Sequence, residues 1–267
     1  MTTVEVIEPH GFCGGVERAL KMARSALSGV SPVYCLHEIV HNETVVRELV
    51  AEGMRFVDVV DDVPDGAVML ISAHGTSPAV RSAAEERSIR IIDATCPFVA
   101  AAHAAIRANA AKGMRTVVVG DPGHVEVLGY LGEPGACREQ DLKPGESAGR
   151  VVQTTLSVQP SAADDSSPCT ATRDRQQAVR DFVQAHSVGE VTVGVLVVGS
   201  ANSANTGRLA EIAERSGAKA FRVGRPSDMS AIDFSGIAVL GVTSGASTPE
   251  SLFLQVLHSV ASRCPKS

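Results

Sequence analysis

Val4-Glu5-Val6-Ile7-Glu8-Pro9-His10-Gly11-Phe12-Cys13-Gly14-Gly15-Val16-Glu17-Arg18-Ala19-Leu20 is the stretch that decides the fold class. The apolar run Val4–Ile7 reads as a strand, the Pro- and Gly-containing segment after it breaks that strand, and Val16–Leu27 has the apolar spacing of an amphipathic helix. The same order returns at Val68–Ser72, before Ala73-His74-Gly75-Thr76-Ser77-Pro78 and the helix Val80–Glu86. It returns again at Thr116–Val119, Val151–Gln153, Val191–Val198 and Ile237–Val242, each ahead of a loop rich in Gly and polar residues. The apolar runs lack strict alternation, as expected for parallel strands buried on both faces with helices as crossovers. Six such units group in chain order into three pairs. The expectation is an α/β protein of three small pseudo-symmetric lobes with mainly parallel sheets, at residues 1–95, 96–168 and 169–248, followed by a helical tail at 249–267 that folds over the first lobe. Gly132–Gly149 reads as loop and Val158–Pro168 as a small, polar linker.

The chain has 267 residues, 44% of them hydrophobic, enough to fold without staples. Its 24 basic residues against 30 acidic ones give a net charge of −6. The basic residues form no stripe, which argues against nucleic acid as a partner. No run of 18 apolar residues and no leader-like segment in Met1–His10 occur, so no membrane association and a cytoplasmic location are expected. Six cysteines are too sparse for a secreted disulfide scaffold.

Cys13, Cys96 and Cys169 each stand at the entrance of an expected helix, with Gly14-Gly15, Pro97 and Thr170 behind them. A helix start presents unpaired N–H groups and a partial positive charge, which stabilise a thiolate or an anionic cluster. Three such sites far apart in sequence suggest one shared metal centre, although free cysteine is also among the most buried residue types and could serve packing alone. Three thiolates on a 4Fe-4S cluster would leave one iron open to act as a Lewis acid. Cys35, Cys137 and Cys264 lie in a strand-like run, a loop and the tail, and are read as incidental.

In open parallel sheets ligands sit beyond the carboxyl ends of the strands, and the post-strand loops here hold the chemistry. His124 and Glu126 stand two residues apart after a strand, and both can move protons. His41 and His74 occupy matching loops, while His10, His103, His186 and His258 lack that context and are assigned to surface or packing. Asn202-Ser203-Ala204-Asn205-Thr206-Gly207 and Thr243-Ser244-Gly245-Ala246-Ser247 open helices and offer amides and hydroxyls to an anion such as a diphosphate, or else simply cap those helices. Neither a Walker-type Gly-Lys-Ser/Thr nor a GxGxxG is present, which makes a nucleotide a poorer candidate.

Taken in order, GFCGGVERAL from Gly11, HEIVHNETVV from His37, SAHGTSP from Ser72, DATCPFV from Asp93, GHVEV from Gly123, QTTLS from Gln153, CTATRDRQ from Cys169, NSANTGRL from Asn202 and GASTPE from Gly245 resemble the signature blocks of the 4-hydroxy-3-methylbut-2-enyl diphosphate reductase (LytB) family. The resemblance implies three α/β lobes around a 4Fe-4S cluster held by Cys13, Cys96 and Cys169. It implies reductive dehydroxylation of (E)-4-hydroxy-3-methylbut-2-enyl diphosphate to isopentenyl and dimethylallyl diphosphates, the last step of the non-mevalonate isoprenoid route, with ferredoxin or flavodoxin as electron donor. It further implies that His41, His74, His124, Ser203, Asn205 and Ser247 hold the diphosphate, while Thr154 and Glu126 orient and protonate the departing hydroxyl.

The chain departs from the family pattern in three places. Ala204 replaces a second serine, which removes one hydrogen bond worth about 1 kcal/mol. Only Leu156–Pro168 connects the Thr154 block to Cys169, where the family usually carries an additional helix and strand. Gly120-Asp121-Pro122 differs from the usual block ahead of His124. These departures leave two alternatives open: a diverged paralogue reducing another allylic diphosphate in specialised metabolism, or a non-catalytic iron–sulfur sensor or diphosphate-binding protein. Glu126 and Thr154 argue against the second, because a sensor needs no placed proton donor.

Overall fold

The computed structural model describes residues 2–157, 164–166, 168–187, 189 and 191–264. By contact density the chain divides into two compact units. The first comprises Met1–Cys13, His41–Glu43 and Thr170–Ser267, the second Gly14–Val40 and Thr44–Cys169.

The first unit is built on one parallel sheet. Its strands are β1 (Thr3–Val6), β9 (Val193–Val198), β10 (Lys219–Val223) and β11 (Val239–Ser244), in the order β1-β11-β9-β10. The central strand β9 is buried along its whole length, and its side chains divide by parity between two cores. Val193, Val195 and Val197 pack with α6 (Thr170–His186) and α7 (Ala204–Arg215) through Val179, Phe182, Val183, Leu209 and Ile212. Leu196 and Val198 pack with α8 (Glu250–Arg263) through Leu252, Phe253, Val256 and Val260. Each such aliphatic side chain contributes on the order of 1.5–3 kcal/mol on burial. A Cβ at Gly241 would lie 2.5 Å from the Phe182 ring and 2.6 Å from Ile7, so close packing against β11 requires glycine there.

The second unit holds two parallel sheets. One has β2 (Val33–Leu36), β3 (Met54–Val57), β4 (Val68–Ile71) and β5 (Arg90–Asp93) in the order β3-β2-β4-β5. The other has β6 (Arg115–Val119), β7 (Ala136–Cys137) and β8 (Ala148–Val152) in the order β7-β6-β8. The helices are α1 (Gly14–Gly29), α2 (Glu43–Ala51), α3 (Pro78–Glu86), α4 (Pro97–Ala111) and α5 (Val125–Leu131). α4 and α5 bury Val99, Ala102, Ile106, Val127 and Tyr130 against Val118 and Val151.

The α/β class with small parallel sheets is as expected, but two boundaries differ. β1 pairs with β11, Val4 against Leu240 and Val6 against Val242, so the chain's first strand belongs with the residues after 169 and not with a lobe at 1–95. A parallel edge strand needs no local partner, and β1 takes the outer edge of β11. The apolar face of α8 completes the second core of the first unit, together with Val4. Residues 132–149 are mostly loop, apart from short β7, a 3-10 turn at Glu139–Asp141 and the start of β8. Of the linker expected at Val158–Pro168, residues 158–163 and 167 lie outside the described residues. Asp164–Ser166 finish the open edge of β8: Asp165 Oδ2 accepts from the Arg150 amide at 2.9 Å, and Ser166 Oγ from the Val152 amide at 3.0 Å. With the Asp165 amide, which donates to the Arg150 carbonyl at 2.7 Å, these acceptors close that edge without a further strand.

Candidate functional site

In the first unit the loops after β1, β9 and β11 gather at the carboxyl end of one sheet. Cys13 is half-buried immediately before α1, and its amide donates to the Ala246 carbonyl at 3.1 Å. The Gly11 amide donates to Ser244 Oγ at 2.8 Å, and Gly11 takes φ +72°, a left-handed conformation that favours glycine. Buried Arg175 on α6 donates to the carbonyls of Gly11 at 2.8 Å and His10 at 3.4 Å, fixing the loop that carries Cys13.

Ser203 caps α7, its Oγ accepting from the Thr206 amide at 3.4 Å. Ser247 Oγ donates to the His41 carbonyl at 3.2 Å. Asn205, two residues after Ser203, has only 5% of its surface exposed, and neither atom of its side-chain amide has a hydrogen-bond partner among the described residues. Thr206 Oγ1 is in the same condition, packed against Gly199 and Gly245, where any side chain would collide with it. Buried polar groups are costly unless paired, so this cradle suits a ligand that brings hydrogen-bond partners.

The second unit holds the proton chemistry. His124 caps α5, its Nδ1 accepting from the Glu126 amide at 3.2 Å, which places the proton of the neutral ring on Nε2. The His74 and His124 rings meet edge to face at 5.7 Å, and Ser72 Oγ lies 3.3 Å from His74 Nδ1. Glu126, 1% exposed, is held on both oxygens. Oε1 accepts from the Thr154 amide at 2.6 Å and from the Tyr130 hydroxyl at 2.9 Å, and Oε2 is 2.9 Å from Thr154 Oγ1. Burial raises the pKa of Glu126 above the ordinary carboxylate range, although the Thr154 amide, Tyr130 and the Thr154 hydroxyl pull the other way. A carboxyl that keeps its proton at higher pH is suited to general acid work.

Cys96 and Cys169 are half-buried in this unit, directly before α4 and α6. The Cys96 amide donates to the Ala73 carbonyl at 2.9 Å, beside the His74 loop, and the Cys169 amide to the Thr154 carbonyl at 3.2 Å. By contrast Cys35 and Cys137 are buried, and burial pushes both thiols up. All six cysteines are thiols. Among the described residues no group of three or more His, Cys, Asp or Glu side chains is arranged to hold a single metal ion. A 4Fe-4S cluster makes a different demand, one external ligand per iron. Three half-buried thiols at helix starts meet that demand for three of the four irons.

Three contributors were not legible as site residues. Tyr130 lies four residues after Glu126, the spacing of neighbours on a helix face, and that spacing is the signal that could have found it. Arg175 carries no such signal, since beyond the Ala171 carbonyl its partners are backbone carbonyls 164 and 165 residues away. Asn42, 2% exposed beside His41, would have needed its burial to be known.

Small parallel sheets with thiols, imidazoles and a buried carboxyl acid at the carboxyl ends of their strands define an α/β enzyme with acid–base capacity and soft-metal donors. The chain belongs to the LytB family: the model of the LytB protein family matches residues 4–261. Among curated relatives, the 4-hydroxy-3-methylbut-2-enyl diphosphate reductase of Shewanella pealeana is 37% identical over 96% of this chain and 91% of its own length. That of Acinetobacter baylyi is 38% identical over 96% of this chain and 88% of its own. Among solved structures, the E-1-hydroxy-2-methyl-but-2-enyl-4-diphosphate reductase from Plasmodium falciparum superimposes with a TM-score of 0.88 at 27% identity, covering 97% of this chain and 88% of that one. A structure of (E)-4-hydroxy-3-methyl-but-2-enyl diphosphate reductase gives 0.65 at 29% identity, covering 98% and 100%. No helix among the described residues is long and apolar enough to cross a membrane.

Proposed function

We propose that this protein is a cytoplasmic 4-hydroxy-3-methylbut-2-enyl diphosphate reductase, catalysing the last step of the non-mevalonate isoprenoid route. The substrate takes up two electrons and two protons, loses its hydroxyl as water, and becomes isopentenyl or dimethylallyl diphosphate. The observation that carries the reading is the Glu126–Thr154 pair, a buried acid with a hydroxyl 2.9 Å from one of its oxygens, in a chain of this family.

Cys13, Cys96 and Cys169 would hold a 4Fe-4S cluster. When bound, such a cluster with three protein thiolates supplies electrons and a Lewis-acidic iron. Ferredoxin or flavodoxin would deliver the electrons. His41, His74, His124, Ser203, Asn205 and Ser247 would bind the diphosphate. The unpartnered Asn205 amide and the Nε2–H of His124 suit phosphate oxygens. Glu126 would supply the proton that leaves with the hydroxyl, through Thr154 Oγ1. Its burial keeps that proton in place until the transfer.

The test is an anaerobic assay of the reconstituted protein, with a chemically reduced one-electron dye and the hydroxymethylbutenyl diphosphate substrate. Dye oxidation coupled to both isoprenoid diphosphates is expected. A fully loaded cluster with no product would overturn the proposal.

A further inference from the structure

The surroundings of Glu126 carry an inference that rests on its role as the acid. Oε1 meets two groups that act here as donors: the Thr154 amide, which cannot accept, and the Tyr130 phenol. A carboxyl oxygen already accepting two hydrogen bonds is a poor seat for a proton. The partner of Oε2 is the Thr154 hydroxyl at 2.9 Å, which can accept as readily as it donates. We propose that Tyr130 is a positioning residue which, with the Thr154 amide, fills Oε1 so that the transferable proton of Glu126 rests on Oε2, facing Thr154 Oγ1. During turnover the Oε2–H bond breaks as Thr154 Oγ1 takes that proton, and the proton Thr154 already carried passes to the departing hydroxyl. Glu126 is left as a carboxylate, with both donors still on Oε1, and Thr154 is left neutral.

Tyr130 is fixed well enough to do this. It is wholly buried, and its ring meets His103 edge to face at 4.9 Å. His103 Nδ1 lies 2.7 Å from Glu133 Oε1, which also takes Arg107 at 2.5 Å. Arg107 donates to that same oxygen, so Glu133 Oε1 is the acceptor and His103 donates from Nδ1, and burial lowers the pKa of the imidazole from its ordinary value. The His103 ring packs against the phenol, whose hydroxyl reaches Glu126, four residues back on α5.

The experiment compares parent, Tyr130→Phe, Glu126→Gln and the double variant in the anaerobic dye assay with the natural substrate. Tyr130→Phe is expected to lower kcat about five- to tenfold, the scale of one hydrogen bond, with KM within about twofold. In the Glu126→Gln background the same change should have no further effect, because an amide nitrogen already fixes the donor on the Thr154 side. A parent-like kcat in Tyr130→Phe, or an equal loss in both backgrounds, would overturn the proposal. A second readout does not depend on the Phe variant folding. The infrared difference between parent and Glu126→Gln, recorded at a pH where Glu126 is protonated, gives its carbonyl stretch. Two donors on Oε1 should pull that band low, and the frequency of an unbonded carbonyl would overturn the proposal. Absence of product from the parent would instead overturn the reductase reading, and the Tyr130 role with it.

Discussion

In the second unit both oxygens of buried Glu126 have partners in the protein itself, whereas in the first unit the buried Asn205 amide meets no partner among the described residues. The two arrangements solve different problems. A group that must hold a proton until a chosen moment needs a fixed cage and a desolvated site. A group that must take up an anion does better with its hydrogen bonds unmade in the free protein, so that binding supplies them. The contrast separates proton handling from ligand binding within one chain, and each side can be broken separately.

The largest effect falls on neither side. Cys13→Ser should abolish cluster absorbance and all turnover, as should the same change at Cys96 or Cys169. Cys35→Ser, in the buried core of β2, should keep the colour. A coloured, active Cys13→Ser protein would remove the thiol assignment on which both halves depend.

Asn205→Ala and Thr154→Ala test the contrast itself. Asn205→Ala should raise KM about 10- to 100-fold, the range for a buried group that pairs with a charged ligand, while thermal stability holds or improves, since an unpartnered amide is removed. Thr154→Ala takes a hydroxyl from Glu126 and should lower kcat and stability together. Stability loss in Asn205→Ala, measured by calorimetry, would show that its amide already has a structural partner.

How much of this was legible in the sequence depended on the range of the signal. Gly14-Gly15 after Cys13 and Pro97 after Cys96 are local marks of a helix start, and α1 and α4 begin there. The post-strand loops bearing His74, His124 and Thr154 follow from apolar runs that β4, β6 and β8 bear out. The partner of β1 was not legible, because a parallel edge strand takes its neighbour from any distance, and Val4 finds Leu240. Strands β3, β5 and β10 were missed as well: Met54–Val57, Arg90–Asp93 and Lys219–Val223 are short and mix charged with apolar residues. Ser203 shows the opposite difficulty. Its sequence context suits both a ligand and a cap; in the structure its Oγ caps α7.

Glu126 also gives a pH prediction. Its pKa is raised in the folded chain, so the stability it contributes is complete below the ordinary carboxylate range and is lost as pH rises through the folded value. Glutamine cannot ionise. The melting temperature of Glu126→Gln should therefore gain on the parent as pH increases, in a calorimetric series on the reconstituted protein. A constant difference across the series would contradict the raised value.

The smallest expected effect is at Ala204, in the first turn of α7. Ala204→Ser restores a hydroxyl and should lower KM by no more than about fivefold, the scale of one hydrogen bond. A change in kcat with KM fixed would move this residue to the proton-handling side of the contrast.

The most direct test of the whole account is turnover by cluster-loaded Glu126→Gln beside the parent, under anaerobic conditions with reduced dye and hydroxymethylbutenyl diphosphate. The prediction is an unchanged cluster spectrum with kcat lower by about 100- to 10,000-fold, the range for a general acid. Turnover of the Gln protein at the parent's rate, with the same two products, would contradict it.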